Sequence, residues 1–171
     1  MKIAIEFFTY WHCGSGSSGG SRVDALVARD SNGFPYIAGK TIKGHIREMA
    51  ESFDDIEFIN LCFGSSEERE GKCYFSNAII EENIHEKLSS YLFTTISSTK
   101  IDSKGLAIDG SLREIEVVVP LKLYATIEFD TEVEGFKEKM KQALLQVKRM
   151  GLNRTRGLGR CEISVVGELN G

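Results

Sequence analysis

The sequence predicts an α+β fold: four antiparallel strands beneath two helices, with a hairpin inserted before the third strand. Three observations predict it. Alternating runs rich in β-branched and aromatic residues occur at Lys2 to Tyr10, Cys73 to Ile80, Glu114 to Phe129 and Cys161 to Val166. Two segments, Gly39 to Phe53 and Glu134 to Met150, place apolar residues at helical spacing instead. The resulting order, β-α-β-β-α-β, is that of the ferredoxin-like (RRM-like) split βαβ arrangement.

In the first strand Ile3, Ile5 and Phe7 alternate with Lys2, Ala4 and Glu6. Gly14 to Ser21 (GSGSSGGS) reads as a loop that lets a ligand approach the backbone. Arg22 to Arg29 reads as a short extended piece, and Asp30-Ser31-Asn32-Gly33 as a turn. Pro35 biases Phe34 toward extended backbone. The helix over Gly39 to Phe53 gathers Ile42, Ile46, Met49, Ala50 and Phe53 on one face. Glu51 to Lys72 reads as acidic and irregular. Ile84 to Leu92 reads as a short helix or loop, and Thr94 to Leu112 as a protruding hairpin. Pro120 interrupts Glu114 to Phe129, which predicts an edge, a bulge or two consecutive strands. Phe136, Met140, Ala143, Leu144 and Val147 form the face of the second helix, and Gly151 stops it. One domain over residues 1–171, with its insertion around 94–113, accommodates these elements.

Net charge is −4, so the molecule as a whole does not advertise binding to a polyanion. The distribution is uneven. Glu51 to Glu70 holds seven acids and one base, whereas Gln142 to Cys161 holds five cations and no acid. A second basic group, Lys40, Lys43 and Arg47, falls at i, i+3 and i+7, on a face apart from the apolar one. Cations at the start of a helix oppose its dipole and suit an external anion there; a solvated charged face is the alternative. The four cysteines form no CxxC pair and read as reduced, partly buried thiols. No apolar run is long enough to cross a bilayer and no secretory signal is visible, which predicts a soluble, cytoplasmic protein.

Gly33 to Thr41 imitates a phosphate-binding GxxxxGK[ST] loop but has five residues between its glycines, which spoils the aim of consecutive N–H groups. In Arg154-Thr155-Arg156-Gly157-Leu158-Gly159-Arg160 the glycines permit close backbone approach and the arginines supply planar donors for phosphate. A helix C-cap and turn is the plainer reading. Asp24 is a lone carboxylate next to Arg22, after the glycine loop. His12 is a general acid/base candidate or a structural histidine at a strand end.

The segment Tyr36-Ile37-Ala38-Gly39-Lys40-Thr41-Ile42-Lys43-Gly44-His45-Ile46-Arg47 resembles a signature of the RAMP superfamily of CRISPR-associated proteins. Arg156-Gly157-Leu158-Gly159-Arg160 resembles the superfamily's C-terminal glycine-rich loop. Leu61-Cys62-Phe63-Gly64 with Gly71 to Asn77 resembles its middle motif, with Asn77 where an aspartate is usual. Val23 to Asp30 is similar to a stretch of the backbone subunits of type III effector complexes, in which the aspartate matching Asp24 cleaves target RNA.

The resemblance implies a subunit that polymerises along a guide RNA, folds a thumb (here within Thr94 to Arg113) between guide and target, and cuts the target at regular intervals. It implies Asp24 as the catalytic residue, acting on the ribose 2′-OH or holding a divalent metal, with magnesium the expected ion. His12, Arg22, Lys40, Lys43, Arg47, Arg154, Arg156, Gly157, Gly159 and Arg160 are the expected RNA contacts, with the two basic groups converging on one strand. The implied partners are guide RNA, target RNA, other CRISPR-associated subunits and further copies of the chain. Delegating sequence reading to base pairing leaves the protein only backbone and shape to grip. A guide-processing ribonuclease using His12, and a filament subunit without catalysis, are the alternatives.

Overall fold

The structure, a computed structural model, describes residues 1–14, 23–65, 70–81, 84, 86–129 and 135–167. Its main sheet contains β1 (Lys2–Phe7), β2 (Cys73–Phe75), β5 (Lys122–Phe129) and β6 (Cys161–Gly167), in the order β2-β5-β1-β6, with every neighbouring pair antiparallel. Helices α1 (Gly39–Ala50) and α3 (Phe136–Gln146) are the two crossovers. This is the expected ferredoxin-like α+β fold.

The alternation in the sequence decides which face is covered. Ile3, Ile5 and Phe7 of β1, Leu123, Ala125 and Ile127 of β5, and Ile163 of β6 are buried. They join one core with Ile42 and Ile46 of α1 and Met140 and Leu144 of α3. Each of the larger side chains among them, Ala125 excepted, contributes about 1.5–3 kcal/mol by leaving water. Of the stripe read from the sequence, Ile42, Ile46 and Ala50 are buried on α1, while Met49 and, just past the helix, Phe53 pack partly buried against the core.

The insertion is a two-stranded hairpin of β3 (Phe93–Ser98) and β4 (Arg113–Val118), pairing Phe93 with Val118 and Ser98 with Arg113. Its distal loop is shaped by Asp102, whose Oδ1 accepts the amide hydrogens of Lys104 and Leu106 at 2.8 and 2.9 Å. Val117 and Val118 at the root are buried. Of the three readings of Pro120, two consecutive strands is the one realised: β4 and β5 belong to different sheets.

Three local expectations need correction. Glu51 to Lys72 is not irregular throughout, because α2 (Ile56–Phe63) runs through it. Asp55 caps that helix, its Oδ1 accepting from the amide of Phe58 at 2.9 Å. Cys62 and Cys73 form a disulfide rather than two thiols, since the end of α2 and the start of β2 lie 4.9 Å apart at Cα. Cys13 and Cys161 are free and buried, and burial pushes both thiols up to about 12. The second helix ends at Gln146, and Val147 turns extended four residues before Gly151. Among the described residues no helix is long and apolar enough to cross a membrane.

Candidate nucleic-acid interface

The strap of residues 8–14, beyond β1, joins the parts of the site. Trp11 is fully buried and stacks on Phe7, with ring centroids 4.6 Å apart. Its backbone exchanges two hydrogen bonds with Val118, at 3.1 and 2.8 Å, and its Nε1 donates to the carbonyl of Val119. On one side the strap meets the root of the hairpin. The carbonyl of Cys13 accepts from Ala28 at 3.0 Å, which also brings in the segment containing Asp24. Elsewhere along the strap the carbonyl of His12 accepts from Leu152, and that of Tyr10 from Gly159, at 2.9 and 2.8 Å. The glycine/arginine loop and the Asp24 segment are thus both fastened to this one strap.

Asp24 is exposed and lies beside β4. Its amide donates to the carbonyl of Glu114 at 2.8 Å, and its Oδ2 accepts from the amide of Glu114 at 2.9 Å. The segment is held further along by Glu116. That carboxylate accepts from the amide of Val27 at 3.0 Å and from Arg29 Nη2 at 2.7 Å. The guanidinium of Arg29 also lies over the Phe93 ring, 3.8 Å from its centroid, so it joins both strands of the hairpin to the Asp24 segment. Sequence reasoning missed Glu116. Its only sequence signal is the alternation of Glu114 and Glu116 with Ile115 and Val117.

His12 differs from expectation. Its side chain is 3% exposed, and Nδ1 donates to the carbonyl of Glu116 at 2.6 Å, so that nitrogen carries the proton. The ring braces the strap against the hairpin and offers no open face to RNA. A histidine at the end of an alternating strand gives no sequence clue to whether it turns in or out. Arg22 lies outside the described residues.

The loop from Gly151 to Arg160 is built on tight backbone approach. A Cβ on Gly159 would sit 1.9 Å from the carbonyl oxygen of Met150, and one on Gly151 would sit 2.2 Å from that of His12. Gly157 also has positive φ but faces open space. Arg156 and Arg160 are exposed. Arg154 differs: it makes a two-pronged pair with Glu48 on α1, at 2.8 and 2.9 Å, and its Nη1 lies 3.2 Å from His45 Nδ1. That guanidinium holds the Glu48 carboxyl below the usual carboxylate range. Burial, with the Arg154 charge beside it, lowers the His45 pKa. Arg154 therefore docks the loop onto α1.

Lys40, Lys43 and Arg47 share a depression of about 560 Å³ with Gly71, Tyr74 and Glu70. Arg47 also pairs with Glu51 at 3.1 Å. The first amide of α1, on Gly39, donates to Asn77 Oδ1 at 2.9 Å, which supplies the cap that Ala38 lacks. His45, Arg154, Lys148 and Arg149 line a different depression. With about 100° per residue, the two groups of α1 side chains flank the buried stripe on opposite sides. Lys40, Lys43 and Arg47 therefore lie on the other side of α1 from Arg154, which does not join them in one cleft as the sequence led one to expect.

Among the described residues, no cluster of three His, Cys, Asp or Glu side chains is arranged to hold a metal ion. Asp24 is a hard, exposed oxygen donor. Magnesium keeps several waters and is commonly held by one or two carboxylates together with substrate phosphates. The donor present therefore fits a magnesium ion shared with RNA.

A family model of the RAMP superfamily matches residues 4–162. A search of curated proteins finds no match. Among solved structures, the chain is similar to one in a cryo-EM structure of a type III-B Cmr-beta complex in the apo state, with TM-score 0.72 and 16% identity over 95% of each chain. It is likewise similar to one in that type of complex bound to cognate target RNA, with TM-score 0.71 and 15% identity over 95% of each chain. At these identities the two likenesses show a shared fold, whereas the family model spans most of the sequence. The chain belongs to the RAMP superfamily of CRISPR-associated proteins.

Proposed function

We propose that this chain is a guide-RNA-binding backbone subunit of a type III effector complex, and that it cleaves guide-paired target RNA through Asp24. One observation carries the reading: Asp24 is exposed and fixed by two hydrogen bonds to Glu114, toward the loop end of the β3–β4 hairpin. A hairpin that wedges between guide and target would kink the target beside that end. That kink brings a ribose 2′-OH toward in-line geometry with its own phosphate, and such alignment accounts for much of the rate in intramolecular reactions. Asp24 orients that hydroxyl or takes its proton. A bound magnesium ion, held by Asp24 with RNA phosphates, would supply Lewis-acid stabilisation of the developing charge. Lys40 and Lys43 grip guide phosphates at the start of α1, and Arg156 and Arg160 do so from the glycine/arginine loop.

A guide-processing enzyme working through His12 is disfavoured, because that imidazole is 3% exposed and bonded to Glu116. A filament subunit without catalysis draws support from the bond that already occupies Asp24 Oδ2. Complexes assembled with an Asp24→Ala subunit separate the two. The proposal requires unchanged guide and target binding with cleavage slowed by about 10²–10⁴-fold. Unchanged cleavage refutes it.

A further inference from the structure

The strap carries two large aromatic side chains that the core does not use. Phe8 is 48% exposed and Tyr10 is 43% exposed, although each neighbours a fully or almost fully buried aromatic, Phe7 or Trp11. Both sit where the glycine/arginine loop is stitched on. The amide of Phe8 donates to the carbonyl of Arg160 at 2.9 Å, the amide of Arg160 donates to Thr9 Oγ1 at 3.0 Å, and the amide of Gly159 donates to the carbonyl of Tyr10 at 2.8 Å. The Arg160 guanidinium lies 5.9 Å from the centroid of the Phe8 ring. Exposed Lys148, Arg149 and Arg156 belong to the same basic stretch, and no acid lies between Val147 and Cys161.

We infer that Phe8 and Tyr10 form a stacking shelf for unpaired nucleobases of a single RNA strand, whose phosphates are held by Arg160 and Arg156. The inference rests on the RNA-binding reading above and adds a base-contacting site to it. Two properties point to nucleobases rather than to an apolar protein surface. Both aromatic side chains are partly open to water. The cation over Phe8 is a guanidinium, which adds to ring stacking instead of competing with it. Aromatic platforms beside cationic tracks bind single strands irrespective of sequence, because every base has a π-face. The backbone under the shelf is held by the tight contact of Gly159 with Met150, so the rings are presented by a stiff support.

The test measures equilibrium binding of the full chain to a fluorescent single-stranded oligoribonucleotide containing 2-aminopurine, across a salt series. Wild type is compared with Phe8→Ala/Tyr10→Ala, Phe8→Trp/Tyr10→Trp and Lys40→Ala/Lys43→Ala. The proposal predicts that the alanine pair weakens binding about tenfold or more and removes the 2-aminopurine stacking signal, with the salt slope unchanged. The tryptophan pair keeps both affinity and signal. The lysine pair lowers the salt slope and keeps the stacking signal. If wild type binds and the alanine pair binds equally with the same signal, the shelf is overturned while the RNA-binding reading stands. If wild type binds no RNA, both are overturned. Thermal melts of each variant, expected close to wild type because both rings are exposed, exclude misfolding as the cause.

Discussion

Asp24 and Glu114 are joined by a reciprocal pair of contacts: the amide of Asp24 donates to the Glu114 carbonyl at 2.8 Å, and the amide of Glu114 donates to Asp24 Oδ2 at 2.9 Å. One carboxylate oxygen is thus tied to the backbone of the hairpin's return strand. On the proposed reading, the acid is fixed to the strand that would wedge guide and target apart.

That coupling predicts a role for Glu116. Its carboxylate holds Val27 and Arg29, two and four residues beyond the bridge at Ala25. Glu116→Ala removes both bonds and leaves the partly buried amide of Val27 without its acceptor, a loss of about 1–3 kcal/mol. Target cleavage in the assembled complex should slow while guide binding is retained. Equal loss of binding and cleavage would show that Glu116 holds up the fold and not the position of Asp24.

The two glycines of the arginine loop should respond differently to alanine. Gly159 has φ of +68° and no room for a Cβ against Met150. Gly159→Ala should cost about 3 kcal/mol, from left-handed strain and disruption of the Met150–Gly159 hydrogen bond, and lower Tm by about 6–12 °C. Gly157 is also left-handed but opens to solvent, so Gly157→Ala should cost about 1–2 kcal/mol. Calorimetry on both variants checks the order.

The dock between Arg154, Glu48 and His45 predicts acid sensitivity. Both His45 and Glu48 titrate lower in the folded chain than when unfolded. The unfolded chain therefore binds more protons, and stability falls as pH drops. The His45 contribution is complete above its ordinary value of about 6.5 and fades below it. The Glu48 contribution is complete above about 4.3 and fades as pH falls through its lowered value. Thermal melts between pH 8 and pH 5 should show a decline that His45→Gln reduces. A decline of equal size in that variant would place the sensitive group elsewhere.

The guide binding proposed for α1 should appear in the salt dependence. Removing Lys40 and Lys43 should weaken guide binding and reduce the slope of log K against log salt by about 0.7 for each phosphate left without its cation. Arg154→Ala should leave that slope unchanged, because Arg154 is spent on Glu48.

Helical and strand periods made the architecture legible. Ile42 and Ile46, or Ile3, Ile5 and Phe7, announce which face is covered without reference to any neighbour. What stayed hidden depends on partners distant in sequence. His12 reads the same whether it turns toward Glu116 or toward solvent. Arg154 and Arg156 look equivalent in a basic loop until Glu48, on another element, captures one of them. Helix α2 was obscured by the acids around Asp55, although Asp55 itself is a cap. In the sequence the two basic groups look like one grip, because spacing along a helix fixes relative faces but not which neighbour each face meets. Phe8 and Tyr10 continue the outward positions that Glu6 opens, so their exposure follows the strand alternation although their aromatic character alone would argue for burial.

The central claim is that Asp24 performs the cut. It is tested most directly by one gel of a guide-paired, end-labelled target incubated with the assembled complex, wild type or Asp24→Ala, with and without magnesium. The account predicts a regularly spaced ladder for wild type with magnesium and intact target for Asp24→Ala, with target binding equal in both. A ladder of the same spacing and rate from the Asp24→Ala complex would contradict it.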